Sequence, residues 1–136
     1  MIEGGCLCRR VRFRTDVDPI AARVCWCRDC QSLAAGSGTV NVIFPLEGFE
    51  IEGETRDYVS TSDGGNVMHR RFCPNCGTPL FSASDARPTL IIVRAGTLDD
   101  PERVRPSGTI WTASAPSWAT IDEDLPKTEG QPPPVR

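Results

Sequence analysis

The chain is poor in histidine, in positive charge and in long apolar runs, and each scarcity removes a class of function. Its one histidine, His69, excludes zinc hydrolases built on two or three imidazole ligands, and any nucleophilic dyad with a histidine base elsewhere in the chain. No apolar run approaches the roughly 20 residues of a membrane-spanning helix. The 15 Lys and Arg against 18 Asp and Glu give a formal net charge of −3. That balance argues against a nucleic-acid partner held by a general electrostatic footprint. Two local basic stretches, Arg9-Arg10 with Arg12 and Arg14 and His69-Arg70-Arg71, read as solvated strand faces or as a patch for a small carboxylate-bearing ligand. Met1-Ile2-Glu3-Gly4-Gly5 carries neither a basic nor an apolar leader region, so a reduced cytoplasmic setting is expected.

Helical periodicity is also scarce, and short strand-like runs dominate. Val11 to Arg14 alternates apolar and charged residues, while Val40 to Phe44 and Leu90 to Val93 are rich in branched side chains. Arg56 to Ser60 and Val67 to Phe72 flank Ser62-Asp63-Gly64-Gly65-Asn66, a composition suited to a hairpin connection. Arg28 to Ala35 allows a helix of two turns at most, stopped by a turn at Gly36-Ser37-Gly38. The expectation is a mostly β protein with one domain over residues 1–126. A polar, proline-rich tail follows, residues 127–136, which is predicted to be disordered or loosely packed.

What is abundant is cysteine: seven residues in three tight groups, Cys6/Cys8, Cys25/Cys27/Cys30 and Cys73/Cys76. Such spacing turns thiolates onto one tetrahedral metal, whereas disulfides usually join cysteines distant in sequence. Cys73-Pro74-Asn75-Cys76-Gly77 has the form of a zinc knuckle, with glycine supplying φ > 0 after the second ligand. Cys6-Leu7-Cys8 is its natural partner, giving a closed four-thiolate site that contributes on the order of 10–16 kcal/mol to folding. Spacing alone leaves other pairings open, for example the triplet with one distant cysteine.

Cys25-Trp26-Cys27-Arg28-Asp29-Cys30 then supplies three thiolates to a second zinc with an open fourth position. Asp29, His69 or a lasting water in that position would make the second site structural as well. Three sulfurs donate charge to the metal and weaken its pull on oxygen, so the open position suits a thiol substrate, which deprotonates on binding. Asp29 beside the triplet reads as a proton acceptor or as a surface or helix-capping residue. The competing reading is a binding module in which both zincs only hold the fold.

The order Gly5-Cys6-Leu7-Cys8, Cys25-x-Cys27-x-x-Cys30 and Cys73-Pro74-x-Cys76-Gly77-Thr78-Pro79-Leu80-Phe81 resembles the glutathione-dependent formaldehyde-activating enzyme / centromere protein V family. Ala95-Gly96-Thr97-Leu98-Asp99-Asp100-Pro101, Ser114-Ala115-Pro116-Ser117-Trp118 and Asp124-Leu125-Pro126 look like its later blocks. The resemblance implies a β-tent of folded-over antiparallel sheets, tied by a structural zinc on Cys6, Cys8, Cys73 and Cys76. It also implies a catalytic zinc on Cys25, Cys27 and Cys30. The implied activity is that of a carbon–sulfur lyase acting on thiol adducts, as in members that condense formaldehyde with glutathione into S-hydroxymethylglutathione. Glutathione's carboxylates would call for cationic partners, for which Arg28, Arg70, Arg71 and Arg94 are candidates by type. Three positions depart from the family pattern. Trp26 sits where many members carry histidine, Arg9 where glycine is usual, and Thr109 where histidine often precedes an Ile-Trp/Tyr strand.

Overall fold

The computed structural model describes residues 1–62 and 64–135; Asp63 of the predicted hairpin connection and Arg136 of the tail lie outside the described residues. In chain order the elements are β1 (Ile2–Gly5), β2 (Arg12–Thr15), β3 (Ala21–Cys25), α1 (Arg28–Leu33), β4 (Thr39–Pro45) and β5 (Glu50–Glu52). They continue with β6 (Arg56–Thr61), β7 (Val67–Phe72), β8 (Pro79–Ser84), β9 (Leu90–Arg94) and β10 (Thr109–Ile110). The mostly β expectation holds. A three-stranded sheet, β1-β2-β5, faces a seven-stranded one ordered β10-β3-β4-β9-β8-β7-β6. Pairing is antiparallel except where β10 joins β3 in parallel. Among the described residues no helix is long and apolar enough to cross a membrane.

The large sheet uses its two faces differently, as the two-residue side-chain period of a strand dictates. Val42 and Phe44 of β4, Ile91 and Val93 of β9 and Phe81 of β8 are fully buried in the main core. Phe13 of β2 meets them from the small sheet. Its ring stacks on Phe49 at 5.4 Å and meets Phe81 edge-on at 5.5 Å, while Phe44 lies 5.7 Å from Phe49. Each such ring removed from water is worth roughly 1.5–3 kcal/mol, so this cluster fastens one sheet to the other. The alternate residues, Arg23, Asn41, Ile92 and Arg94 among them, face an open cavity instead.

One part of the tail differs from expectation. Residues 127–136 are expected to be disordered or loosely packed, yet residues 126–131 run along β10 and the turn that follows it. The N–H of Thr109 donates to the Pro126 carbonyl at 2.9 Å and Thr128 donates back to Thr109 at 2.9 Å. Thr109 pairs in parallel with Lys127, and the Trp111 indole donates to Gln131 Oε1 at 3.0 Å. The reason is that β10 is an edge strand. Its outward N–H and C=O groups need partners, and an extended proline-rich segment still offers carbonyls even where it lacks N–H groups.

The block after β9 closes the molecule. Gly4 bridges Leu98, and Asp99 accepts from both terminal guanidinium nitrogens of Arg12, Nη1 and Nη2. Gly4 is required by proximity: a Cβ there would lie 2.1 Å from the Thr97 carbonyl oxygen and 2.4 Å from the Phe13 ring. Gly4→Ala should therefore lower stability by about 3 kcal/mol, the upper end expected of overpacking, read as a fall in the urea unfolding midpoint without a change in slope.

Candidate metal centres and cavity

Two turns bring four cysteines together. Cys6 and Cys8 lie in the tight connection between β1 and β2, closed by Cys6 N–H to the Val11 carbonyl (3.0 Å) and Arg9 N–H to the Cys6 carbonyl (3.0 Å). Cys73 and Cys76 occupy the connection between β7 and β8, where Gly77 N–H donates to the Cys73 carbonyl at 2.9 Å and Gly77 takes the expected positive φ of 76°. Leu7 N–H donates to Thr78 Oγ1 at 3.1 Å and locks one turn onto the other.

The four sulfurs lie within 4.8 Å of one another. Cys6 to Cys8 is 3.6 Å and Cys8 to Cys73 is 3.7 Å. A tetrahedron of sulfurs about 2.3 Å from a central zinc has edges of about 3.8 Å, so the donor set and its spacing fit that ion. Backbone N–H groups point at the sulfurs as a thiolate requires: Val11 to Cys6 at 3.2 Å and Asn75 to Cys73 at 3.4 Å. A contact with Thr78 Oγ1 brings the Cys76 thiol down to about 5.

Cys25, Cys27 and Cys30 form the second group, their sulfurs also within 4.8 Å of one another. β3 ends at Cys25, and Cys27 caps α1, its sulfur accepting from Cys30 N–H at 3.3 Å. Ile110 and Trp111 pack against the cluster. Three thiols so close cannot all ionise without a cation. Hydrogen bonds from Cys25 and then Cys27 hold Cys30 well below the usual thiol range, while contact with Cys27, then Cys30, pushes Cys25 up.

The two groups differ in what they face. All three sulfur-bearing residues of the triplet line a cavity of about 620 Å³, whereas none of the four-cysteine group does. That volume falls within the roughly 300–1,000 Å³ of small-molecule sites. Five arginines line it, Arg23, Arg28, Arg70, Arg87 and Arg94, against one carboxylate among the described residues, Asp29. Asp29 lies 3.6 Å from the Arg70 guanidinium. Of the arginines singled out by type, Arg28, Arg70 and Arg94 are present and Arg71 is not; alternation along β7 turns Arg71 to the other face. Arg23 and Arg87 were missed. The signal for Arg23 was its place two residues before Cys25 on one strand. Nothing local marked Arg87, or the buried Gln31, whose amide donates to the carbonyls of Trp26 (2.8 Å) and Ser114 (3.1 Å).

Trp26 is buried but does not line the cavity. It packs against Gly38, where a Cβ would come within 3.1 Å of the indole. His69 is not beside the triplet either. Its ring nitrogens bond Asp57 (2.6 Å) and Asp85 (2.8 Å) on the face of β7 opposite the cavity-lining Met68 and Arg70.

A family profile described as "Glutathione-dependent formaldehyde-activating enzyme" matches residues 1–114. The chain belongs to this family. No curated protein matches the chain. A Rhodobacter sphaeroides protein of known crystal structure is similar with a TM-score of 0.57 at 20% identity, over 76% of this chain and 91% of that one. At that identity the likeness is one of fold. The family match covers both cysteine groups and ends before the segment that runs along β10.

Arg9, standing where the family pattern has glycine, holds a left-handed φ of 68°, which costs a residue with a Cβ about 1–2 kcal/mol. Arg9→Gly should return part of that against the freer unfolded chain and raise stability by about 0.5 kcal/mol, measured as a higher melting temperature. The carboxylates of Asp57, then Asp85, raise the His69 pKa above its ordinary value. Its contribution to stability is then complete below about pH 6.5 and is lost as pH rises through the higher folded-state value. Urea midpoints of the wild type and His69→Gln should converge as pH rises through that window.

Proposed function

We propose that the protein is a zinc-dependent carbon–sulfur lyase of the glutathione-dependent formaldehyde-activating type. In this reading it acts on thiol adducts in a reducing, cytoplasmic setting. The observation that carries this reading is the asymmetry between the two cysteine groups: four sulfurs closed off from the cavity, three lining it. Cys6, Cys8, Cys73 and Cys76 would hold a structural zinc, and Cys25, Cys27 and Cys30 a second one. All seven cysteines are free of disulfides, as ligands must be.

Zinc in the second site would supply an open coordination position that lowers the pKa of a substrate thiol. The chain's own residues do the rest. In the synthetic direction the substrate sulfur forms a bond to the formaldehyde carbon as the carbon–oxygen π bond breaks. The proton lost by the thiol ends on the new hydroxyl, so no redox partner is required. Arg94 sits beside the triplet, its positive charge favoured by Cys30 and Cys25 although burial lowers its pKa overall. It therefore limits the build-up of negative charge as thiolates gather. Asp29 is the one carboxylate among the described lining residues able to relay the proton, and Arg70 orients it. Gln31 holds the Trp26 and Ser114 carbonyls and accepts from Arg28 at 2.7 Å, which fixes the loop carrying Cys27.

Zinc content separates the two roles. Cys30→Ser should keep a cooperative unfolding transition, retain one zinc per chain and lose glutathione-dependent consumption of formaldehyde. Cys73→Ser should lose the folded state, since a structural zinc contributes on the order of 10–16 kcal/mol. A Cys30→Ser protein that unfolds would make the second site structural and sink the enzyme reading.

A further inference from the structure

The family profile ends at residue 114, yet the cavity wall continues beyond it. Gln131 and Val135 line the cavity together with Ile110, Trp111 and Ser114. The segment that carries them is fixed in two stages. Pro126 to Thr128 is the anchor: Thr109 donates to the Pro126 carbonyl and accepts from the Thr128 N–H, and the Thr128 carbonyl accepts from the Thr112 N–H at 3.1 Å. The chain then continues past Trp111. The Glu129 and Gly130 carbonyls accept from the N–H groups of Ala113 and Trp111, each at 3.3 Å, and Gln131 Oε1 accepts from the Trp111 indole at 3.0 Å. Three consecutive prolines follow, Pro132 to Pro134. They stiffen the segment in an extended form, and Val135 at their end is part of the wall.

Trp111 itself is held in an unfavourable state. Its backbone is left-handed, with φ 58° and ψ 35°, a region that a bulky side chain seldom occupies. Such a conformation persists where its surroundings over-determine it. Here they are the two hydrogen bonds to Gly130 and Gln131 and the packing of Trp111 on the cluster of Cys25, Cys30 and Ile110.

We infer that residues 129–135 form a strap that walls the cavity and sets Trp111 against the three-cysteine group, so that the bulk of a ligand able to reach those sulfurs is determined outside the family core. Trp111 is a positioning residue, and Gln131 fastens it. Selection by the strap is steric, since the side chains that Gln131 and Val135 bring to the cavity, an amide and an isopropyl group, carry no charge. The inference concerns access to the sulfurs and holds whether a metal on Cys25, Cys27 and Cys30 is catalytic or structural.

The test is alkylation of the zinc-loaded chain with two reagents that share a reacting group and differ in bulk, iodoacetamide and N-pyrenyl iodoacetamide. Rates are followed at each cysteine by peptide mass spectrometry, at equal zinc content. Deleting residues 129–136 leaves the anchor on Thr109 in place. It should raise the pyrenyl rate at Cys27 about tenfold or more, as expected when the hydrogen bonds that close the wall are lost together, and raise the iodoacetamide rate much less. Gln131→Ala should raise the pyrenyl rate about threefold, the change in population expected of one neutral hydrogen bond. Gly130→Ala, where a Cβ meets no atom within 4 Å, should lower it about twofold by stiffening the released strap. Cys73 does not line the cavity and should keep its rate in every variant, which separates opening of the strap from loss of the fold. If the deletion fails to fold, the two point variants, with their opposite signs, decide the matter. An unchanged pyrenyl rate at Cys27, equal gains with both reagents, or gains at Cys73 that match those at Cys27 would overturn the strap.

Discussion

Four cysteine sulfurs within 4.8 Å of one another are a repulsive arrangement once ionised, and much of the fold depends on their being held there. The two turns that deliver them belong to different sheets: one joins β1 to β2, the other β7 to β8. Their meeting brings the β1–β2 side of the small sheet against the β8–β7 side of the large one, beside the Phe13, Phe49 and Phe81 rings. Aromatic burial supplies non-directional attraction between the sheets. The sulfur cluster adds direction, because a tetrahedral donor set tolerates one relative placement of the two turns. With the sheets fixed in this way, one face of β4, β9 and β8 is committed to the core and the other lines the cavity.

That second face is where chemistry becomes available. The strands are ordinary, and the alternation that buries Val42, Phe44 and Val93 necessarily turns Asn41, Ile43 and Arg94 the other way. A sheet covered on both faces would show continuous apolar runs. Here the cavity-lining row carries arginines instead. Burial lowers the pKa of Arg23 and of Arg94, and the Cys30 sulfur at one end of the same face partly offsets that cost at Arg94.

Local signals carried far in this chain. Cysteine spacing encodes turn geometry directly, so Cys73 and Cys76 sit on a knuckle, and Cys6 with Cys8 on a tight turn. Branched runs became β4 and β9, and the pairing of β6 with β7 follows the register that a hairpin around residues 62–66 requires. What escaped was set by tertiary contact. β10 is two residues long and exists because β3 offers it a parallel edge. The tail's composition correctly signals that it cannot form its own ladder, but composition carries no information about an edge strand elsewhere that needs carbonyls. Arg87 is in the same position: it sits in a turn with no motif, and only the folded sheet brings it to the cavity that Arg23 also lines.

The departures from the family pattern fall into place on the same two-face logic. Trp26 lies between two cavity-lining cysteines in sequence, yet its side chain is turned to the packed side against Gly38. Thr109 is buried beside Val24, bonded through its backbone to the segment that runs along β10, while the next two residues, Ile110 and Trp111, line the cavity. Arg9 is held in a turn outside the cavity by backbone bonding, at a φ that glycine would adopt without strain. None of the three contributes to the cavity wall. The substitutions therefore alter packing and local strain and leave the thiol-lined, arginine-rich wall of the cavity unchanged.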